Sequence, residues 1–147
     1  MAAHFDCFLP IEQKYALIFI ETGLCYAARM SKPRTSAERE IFGIVGKHEN
    51  ARTIQRDWNA YFATKGIDAF MDKYECTQES LPERLSEMYH FDRRAYIVSF
   101  SLQKAICPLL DSLDASAEGE GRVSVVRNNG GVLTGYFTEQ FSPEDVL

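Results

Sequence analysis

The chain has 147 residues, 46% hydrophobic and 25% charged, with 16 Lys+Arg against 21 Asp+Glu for a net charge of −5. Ten Phe, seven Tyr and one Trp supply large pieces for a packed core, which excludes a chain disordered throughout. The acidic balance weighs against a nucleic-acid partner, because phosphate backbones are recognised by Lys and Arg that neutralise them.

Residues 11–29 predict a long first helix, apolar around most of its circumference, with Leu17, Ile20 and Leu24 directed to the core. Its apolar run from Tyr15 to Ile20 stops at Glu21, far short of the ~20 residues that cross a bilayer. The N-terminus lacks a basic n-region, so no secretory leader is read and the expected setting is the cytoplasm. Thr35 and Glu38 have capping-box spacing and open a second predicted helix, with Ala37, Ile41, Ile44 and Val45 on one stripe. Asn50 caps a third, whose stripe is Ile54, Trp58, Tyr61 and Phe62 and whose stop is Gly66.

Ile67, Phe70, Met71 and Tyr74 predict a short fourth helix. Ser80-Leu81-Pro82-Glu83 is a second capping box, with Pro in the first turn, opening a fifth helix with Leu81, Leu85, Met88 and Tyr89. Residues 92–113 read as a sixth, kinked at Pro108, with Leu102, Ile106 and Leu109 in the core. The composition of residues 114–121 marks a linker. Beyond it, the β-prone runs 122–126 and 132–137 flank Asn128-Asn129-Gly130-Gly131, a strong hairpin signal. Pairing across Asn129-Gly130 places Val125 opposite Thr134 and Val123 opposite Tyr136.

The expected fold is therefore a single all-α bundle of about six helices, residues 1–113, with a C-terminal β-hairpin appendage and tail, residues 122–147, packed on the bundle or on a partner. Both hairpin faces carry apolar side chains, and Val123, Val125, Leu133, Tyr136 and Phe137 are the expected partner-binding residues. The partner is another protein or a second copy of the chain.

The four cysteines, Cys7, Cys25, Cys76 and Cys107, form no Cys-x-x-Cys pair, so reduced thiols in or near the core are expected rather than a zinc site. Glu87 and His90 have the Glu-x-x-His spacing that puts two metal ligands on one helical face, and Glu21 is a third candidate. No second Glu-x-x-His accompanies them. No Gly-x-Ser-x-Gly, Walker-type or dinucleotide fingerprint occurs. Residues 38–62 have a helix–turn–helix outline, but Phe42 and Gln55 stand where a small and an apolar residue are wanted.

The run 16–28, followed after a short break by Ser36-Ala37-Glu38-Arg39-Glu40-Ile41, resembles the start of TerB-like tellurite-resistance domains. Residues 93–113 are similar to the second apolar helix of that fold. Arg29-Met30-Ser31-Lys32 stands where the family has Asp-Gly, so no acidic patch is carried over. The resemblance implies a compact helical domain of stress-response or membrane-associated complexes, without catalysis. The expected function is a non-enzymatic interaction, adaptor or regulatory domain with no cofactor. The alternative is a helical-bundle metal protein or enzyme using Glu21, Glu87 and His90.

Overall fold

The computed structural model describes residues 38–146, which lie in one compact unit, Ser36–Leu147. The predicted first helix, with Glu21 and Leu24, lies outside the described residues. Strand β1 (Glu40–Val45) leads into helix α1 (Ala51–Lys65), strand β2 (Ala69–Tyr74), helix α2 (Leu81–His90) and strand β3 (Ala95–Val98). Two 3-10 turns, Phe100–Leu102 and Cys107–Leu109, carry the chain to the two-residue strand β4 (Ser112–Leu113) and helix α3 (Ala115–Glu120). Strands β5 (Val125–Asn129) and β6 (Val132–Tyr136) complete one six-stranded sheet of order β2-β1-β3-β5-β6-β4. The architecture is α/β, which overturns the all-α bundle with an appended hairpin.

Strands β1, β2 and β3 are parallel, β5 runs antiparallel to β3, and β6 lies antiparallel to β5 and parallel to β4. A chain that steps from β1 outward to β2, then back across β1 to β3, must place its two crossover helices on opposite faces. The core divides accordingly. On one face Trp58 and Phe62 of α1 pack on Phe42, Ile44, Met71 and Ala95. Phe62 stacks on Phe42 with ring centroids 5.4 Å apart and meets Trp58 edge-on at 5.8 Å. On the other face Leu81, Leu85 and Met88 of α2 pack on Val45, Tyr96, Val98 and Val126, together with Leu102 and Ile106.

Helices α1 and α2 form where their stripes predicted them, and Gly66 ends α1 in the left-handed conformation at φ 67°. The predicted second, fourth and sixth helices are corrected. Ile41, Ile44 and Val45 lie in β1, Phe70, Met71 and Tyr74 in β2, and Tyr96 and Val98 in β3. Strands covered on both faces read as continuous apolar runs, and a short run of that kind has no period that separates strand from helix. Pro108 sits in the first turn of a 3-10 segment and kinks nothing.

The predicted linker is helix α3, capped by Asp114, whose carboxylate accepts the Ser116 amide at 2.8 Å. The hairpin exists, with its turn one residue later than predicted. Asn129 pairs with Val132 and Val125 with Tyr136, leaving Gly130 and Gly131 as the two turn residues at φ 64° and 94°. Two glycines adopt positive φ without the Cβ penalty that Asn129 would carry. The hairpin is not an appendage: β5 is hydrogen-bonded on both sides, to β3 and β6, and β6 to β5 and β4. Its strand edges are thus unavailable for pairing with a second copy.

The exposed edge at β2 is covered from within the chain. The Asn59 side chain accepts the Met71 amide at 2.8 Å and donates to the Met71 carbonyl at 3.0 Å, acting as a substitute strand neighbour. Among the described residues, no helix is long and apolar enough to cross a membrane.

Phe62→Ala empties the centre of the α1 face and is expected to cost about 3–5 kcal/mol in urea unfolding. Asp114 gives a pH signature. Hydrogen bonds from Ser116 hold its carboxyl below the usual carboxylate range. A depressed folded-state pKa contributes stability that is present above the unfolded value, about pH 4, and lost as pH falls through the native value. Asp114→Ala should therefore flatten the acid limb of the stability–pH curve below about pH 4 and leave the slope above pH 6 unchanged.

Candidate functional site

The strand directions bring the carboxyl ends of β1, β2, β3 and β6 and the amino end of β5 to one edge of the sheet. Strand order reverses between β1 and β3, and in open α/β sheets ligands sit outside the carboxyl ends at such a switch point. A crevice of about 400 Å³ lies there, with Ile54, Trp58, Ile97 and Phe141 as apolar walls and His48, Ser124, Thr138 and Glu139 as polar ones.

Each polar group is positioned by a specific local feature. Strand β1 ends at Gly46, at φ 86°, where a Cβ would collide with the Ser99 hydroxyl and with Leu102. This close approach lets Ser99 extend the β1–β3 ladder, its amide donating to the Val45 carbonyl at 2.9 Å. His48 follows in the turn to α1, and its Nδ1 accepts the Asn50 amide at 3.1 Å. That bond assigns the proton of the neutral ring to Nε2.

At the other lip, the Ser124 hydroxyl donates to the Thr138 carbonyl and accepts from the Thr138 amide, both at 2.8 Å. The β5 entry and the β6 exit are thereby stapled together beside exposed Glu139. Phe141 leans on Trp58 with ring centroids 5.3 Å apart.

A second depression, of about 460 Å³, opens where the chain leaves β3 and enters β5. Phe100, Ser101, Gln103, Lys104, Glu120 and Arg122 line it. Gln103 ties the β3 exit to the β5 entry, its side-chain Nε2 donating to the Val98 carbonyl at 3.4 Å and its backbone carbonyl accepting the Val123 amide at 2.9 Å.

The residues singled out from sequence lie elsewhere. Both Glu87 carboxylate oxygens accept from Arg84 Nη1, at 2.8 and 2.7 Å, within α2. His90 ends that helix exposed, with Nδ1 2.8 Å from the Ser86 carbonyl oxygen. Among the described residues, no three His, Cys, Asp or Glu side chains cluster to hold a metal. Val123, Val125 and Leu133 are core residues, not a partner surface. Tyr136 and Phe137 are half-buried beneath the chain's own Arg127 and Arg122, at 5.4 and 4.4 Å. The helix–turn–helix outline is a strand followed by a helix.

His48, Lys104, Arg122 and Glu139 went unnoticed. The signal for His48 was Gly46 just ahead of a capped helix, which marks a strand-to-helix turn only once residues 40–45 are recognised as a strand.

A parallel βαβαβ unit with a crevice at its switch point is the α/β arrangement in which open sheets bind ligands. The comparisons make this particular. The chain is 28% identical over 110 residues to shikimate dehydrogenase (NADP(+)) from Chlorobaculum tepidum, a match spanning 71% of this chain and 36% of that protein. The solved structure of shikimate 5-dehydrogenase from Listeria monocytogenes, in complex with shikimate and NAD, superposes with a TM-score of 0.62. It is 27% identical to this chain, over 72% of it and 37% of the enzyme.

A 5-ketofructose reductase from a Gluconobacter strain shares the fold at 18% identity, with a TM-score of 0.64 over 70% of this chain and 37% of that one. No family model matches. The chain thus spans little over a third of the length of the curated relatives it matches. These relatives are enzymes with an α/β fold, which overturns both the TerB-like resemblance and the expectation of a non-enzymatic adaptor or helical metal protein.

The relatives' cofactor can be tested against this chain. Gly46-Lys47-His48-Glu49-Asn50-Ala51 stands where a dinucleotide-binding turn has Gly-x-Gly-x-x-Gly/Ala, and Gly46 and Ala51 match its ends. His48 replaces the second glycine, the one that lets backbone approach the pyrophosphate. Its ring takes the Asn50 amide and its carbonyl the Ala51 amide, both at 3.1 Å. The Asn50 and Ala51 amides are thereby engaged, and a side chain stands where the backbone would have to approach the pyrophosphate, so this turn does not fit a dinucleotide. Titration of the ¹⁵N-labelled protein with NADP+ should leave the amides of residues 46–51 unshifted; saturable shifts there would reverse this assignment.

Proposed function

We propose that the chain supplies the substrate-holding part of a shikimate-dehydrogenase-type oxidoreductase, and that the crevice at the ends of β1 and β3 takes a small hydroxylated carboxylic acid. The observation that carries this is the convergence of His48 and Glu139, the two titratable lining residues, at the switch point of a domain similar to shikimate dehydrogenases. The misfit of the Gly46–Ala51 turn supports a division of labour in which the dinucleotide is held by some other part of the enzyme.

The chemistry open to the chain's own groups is binding and proton placement. His48 Nε2–H donates to a substrate hydroxyl or carbonyl oxygen, and the Glu139 carboxylate accepts from a hydroxyl. Trp58 and Phe141, their rings tilted 41° to one another, form an apolar wall that excludes water from one side of a ring. A reduced intracellular compartment suits this reading, with Cys76 and Cys107 free thiols among the described residues.

The test is calorimetric titration of the chain with shikimate. Saturable binding is expected, weakened about ten-fold by His48→Ala and by Glu139→Gln, the loss of roughly one hydrogen bond to a charged or polar partner. Absence of binding, or binding that neither variant changes, would overturn the proposal.

A further inference from the structure

We infer that residues 141–146 are a strap that opens and closes one side of the crevice, with Phe141 as its movable wall and Arg127 as the latch that holds it down. The inference rests on the reading of the crevice as the binding site and extends it, by naming the part of the chain that admits a ligand.

The wall comes first. The crevice of about 400 Å³ and a smaller cavity of about 200 Å³ have Val125, Thr138, Gln140 and Phe141 in common, so these four residues are the partition between the two spaces. Val125 is buried in β5, and the Thr138 backbone is pinned by the Ser124 hydroxyl, so neither can move alone. Phe141 can. Of the three rings packed around Trp58, Phe42 and Phe62 belong to the core, and Phe141 reaches it from outside the sheet. Lifting Phe141 therefore joins the two spaces and uncovers Trp58.

The latch comes second. The Arg127 guanidinium sits 5.4 Å from the Tyr136 ring centroid and 5.7 Å from that of Phe141. Its Nη2 donates to the Asp145 carbonyl at 2.8 Å. Among the described residues, that is the one hydrogen bond joining residues 141–146 to the sheet. The segment's other hydrogen bonds are internal. The Asp145 carboxylate accepts the Ser142 amide and hydroxyl at 2.7 and 2.8 Å, and the Asp145 amide donates to the Ser142 carbonyl at 3.1 Å. The segment is thus a self-contained turn hung from one point, able to move as a unit.

The balance supplies the third observation. A segment held by one hydrogen bond and one ring contact opens at far lower cost than the sheet beneath it. Arg127 Nε is buried with no hydrogen-bond partner among the described residues. An unmet buried donor opposes the closed form, and water satisfies it once the strap lifts. Ring packing and the Asp145 contact pull the other way.

The experiment follows amide hydrogen exchange and Trp58 fluorescence in the full chain, Trp58 being its one tryptophan. The Ser142 and Asp145 amides should exchange by local opening, well ahead of the Val98 amide, which is bonded to the Ser124 carbonyl. Arg127→Ala should speed both about ten-fold, the loss of one charged hydrogen bond, and change Val98 far less. Asp145→Ala should speed Ser142 likewise. Acrylamide quenching of Trp58 should rise in both variants and in Phe141→Ala, which leaves the latch intact. Exchange of Ser142 and Asp145 no faster than that of Val98, indifference to Arg127→Ala, or unchanged quenching in all three variants overturns the strap. With shikimate as the probe, association and release should quicken together in Arg127→Ala. Unaltered shikimate rates beside faster exchange describe an opening that gates nothing, and also overturn the inference. No shikimate binding, with exchange and quenching as expected, overturns the substrate reading instead and keeps the strap.

Discussion

The close approach of Gly46 to Ser99 is the constraint on which the rest of the structure depends. Strand β1 runs between β2 and β3, and where it ends the backbone must turn away toward α1 while β3 continues alongside. A side chain at position 46 would occupy the space of the Ser99 hydroxyl and Leu102, and the backbone there has positive φ. With glycine in place the Ser99 amide reaches the Val45 carbonyl, and the two strands stay paired to their last residue. The crevice opens beyond that point because one crossover leaves on each face of the sheet.

The two ends of the sheet differ in chemistry for the same reason. At the carboxyl ends, loops converge whose backbone groups need partners, and side chains supply them: His48 for Asn50, Ser124 for Thr138, Gln103 for Val98. Between the faces there is no such demand. Phe42, Ile44 and Val45 alternate into the two apolar clusters, and their backbones are satisfied by the ladder. The buried Tyr96 phenol and the partly buried Cys76 thiol are both shifted upward by desolvation, which favours their neutral forms.

The similarity to shikimate dehydrogenases covers 71% of this chain but only 36% of the length of the relative from Chlorobaculum tepidum. Within that span the strand-to-helix turn carries a histidine that hydrogen-bonds its own helix start. An overall charge of −5 said nothing about a hollow lined by Lys104 and Arg122, because those two residues are 18 positions apart in sequence and meet only through the β3–β5 pairing.

How much was legible from the sequence follows from range. Helices α1 and α2, the stop at Gly66, Pro82 in the first turn of α2 and the existence of the hairpin are set by local spacing and turn chemistry, and each was readable from a window of a dozen residues. The cap bonds of the predicted Ser80–Glu83 box do not form, and the hairpin turn falls one residue later than its Asn-Gly signal. The parallel strands were not. Ala95-Tyr96-Ile97-Val98 is apolar at every position because helices cover both its faces, and a run without alternation carries no mark of being a strand. Its hydrogen bonds go to residues 42–45 and 125–127, far away in the chain. The site inherits the same blindness, since His48, Glu139, Lys104 and Arg122 come from four separate loops with no shared motif. Local patterning determined which segments coil and which turn; the long-range backbone pairing of β1, β3 and β5, which no short window contains, decided that they form a sheet and where its functional edge lies.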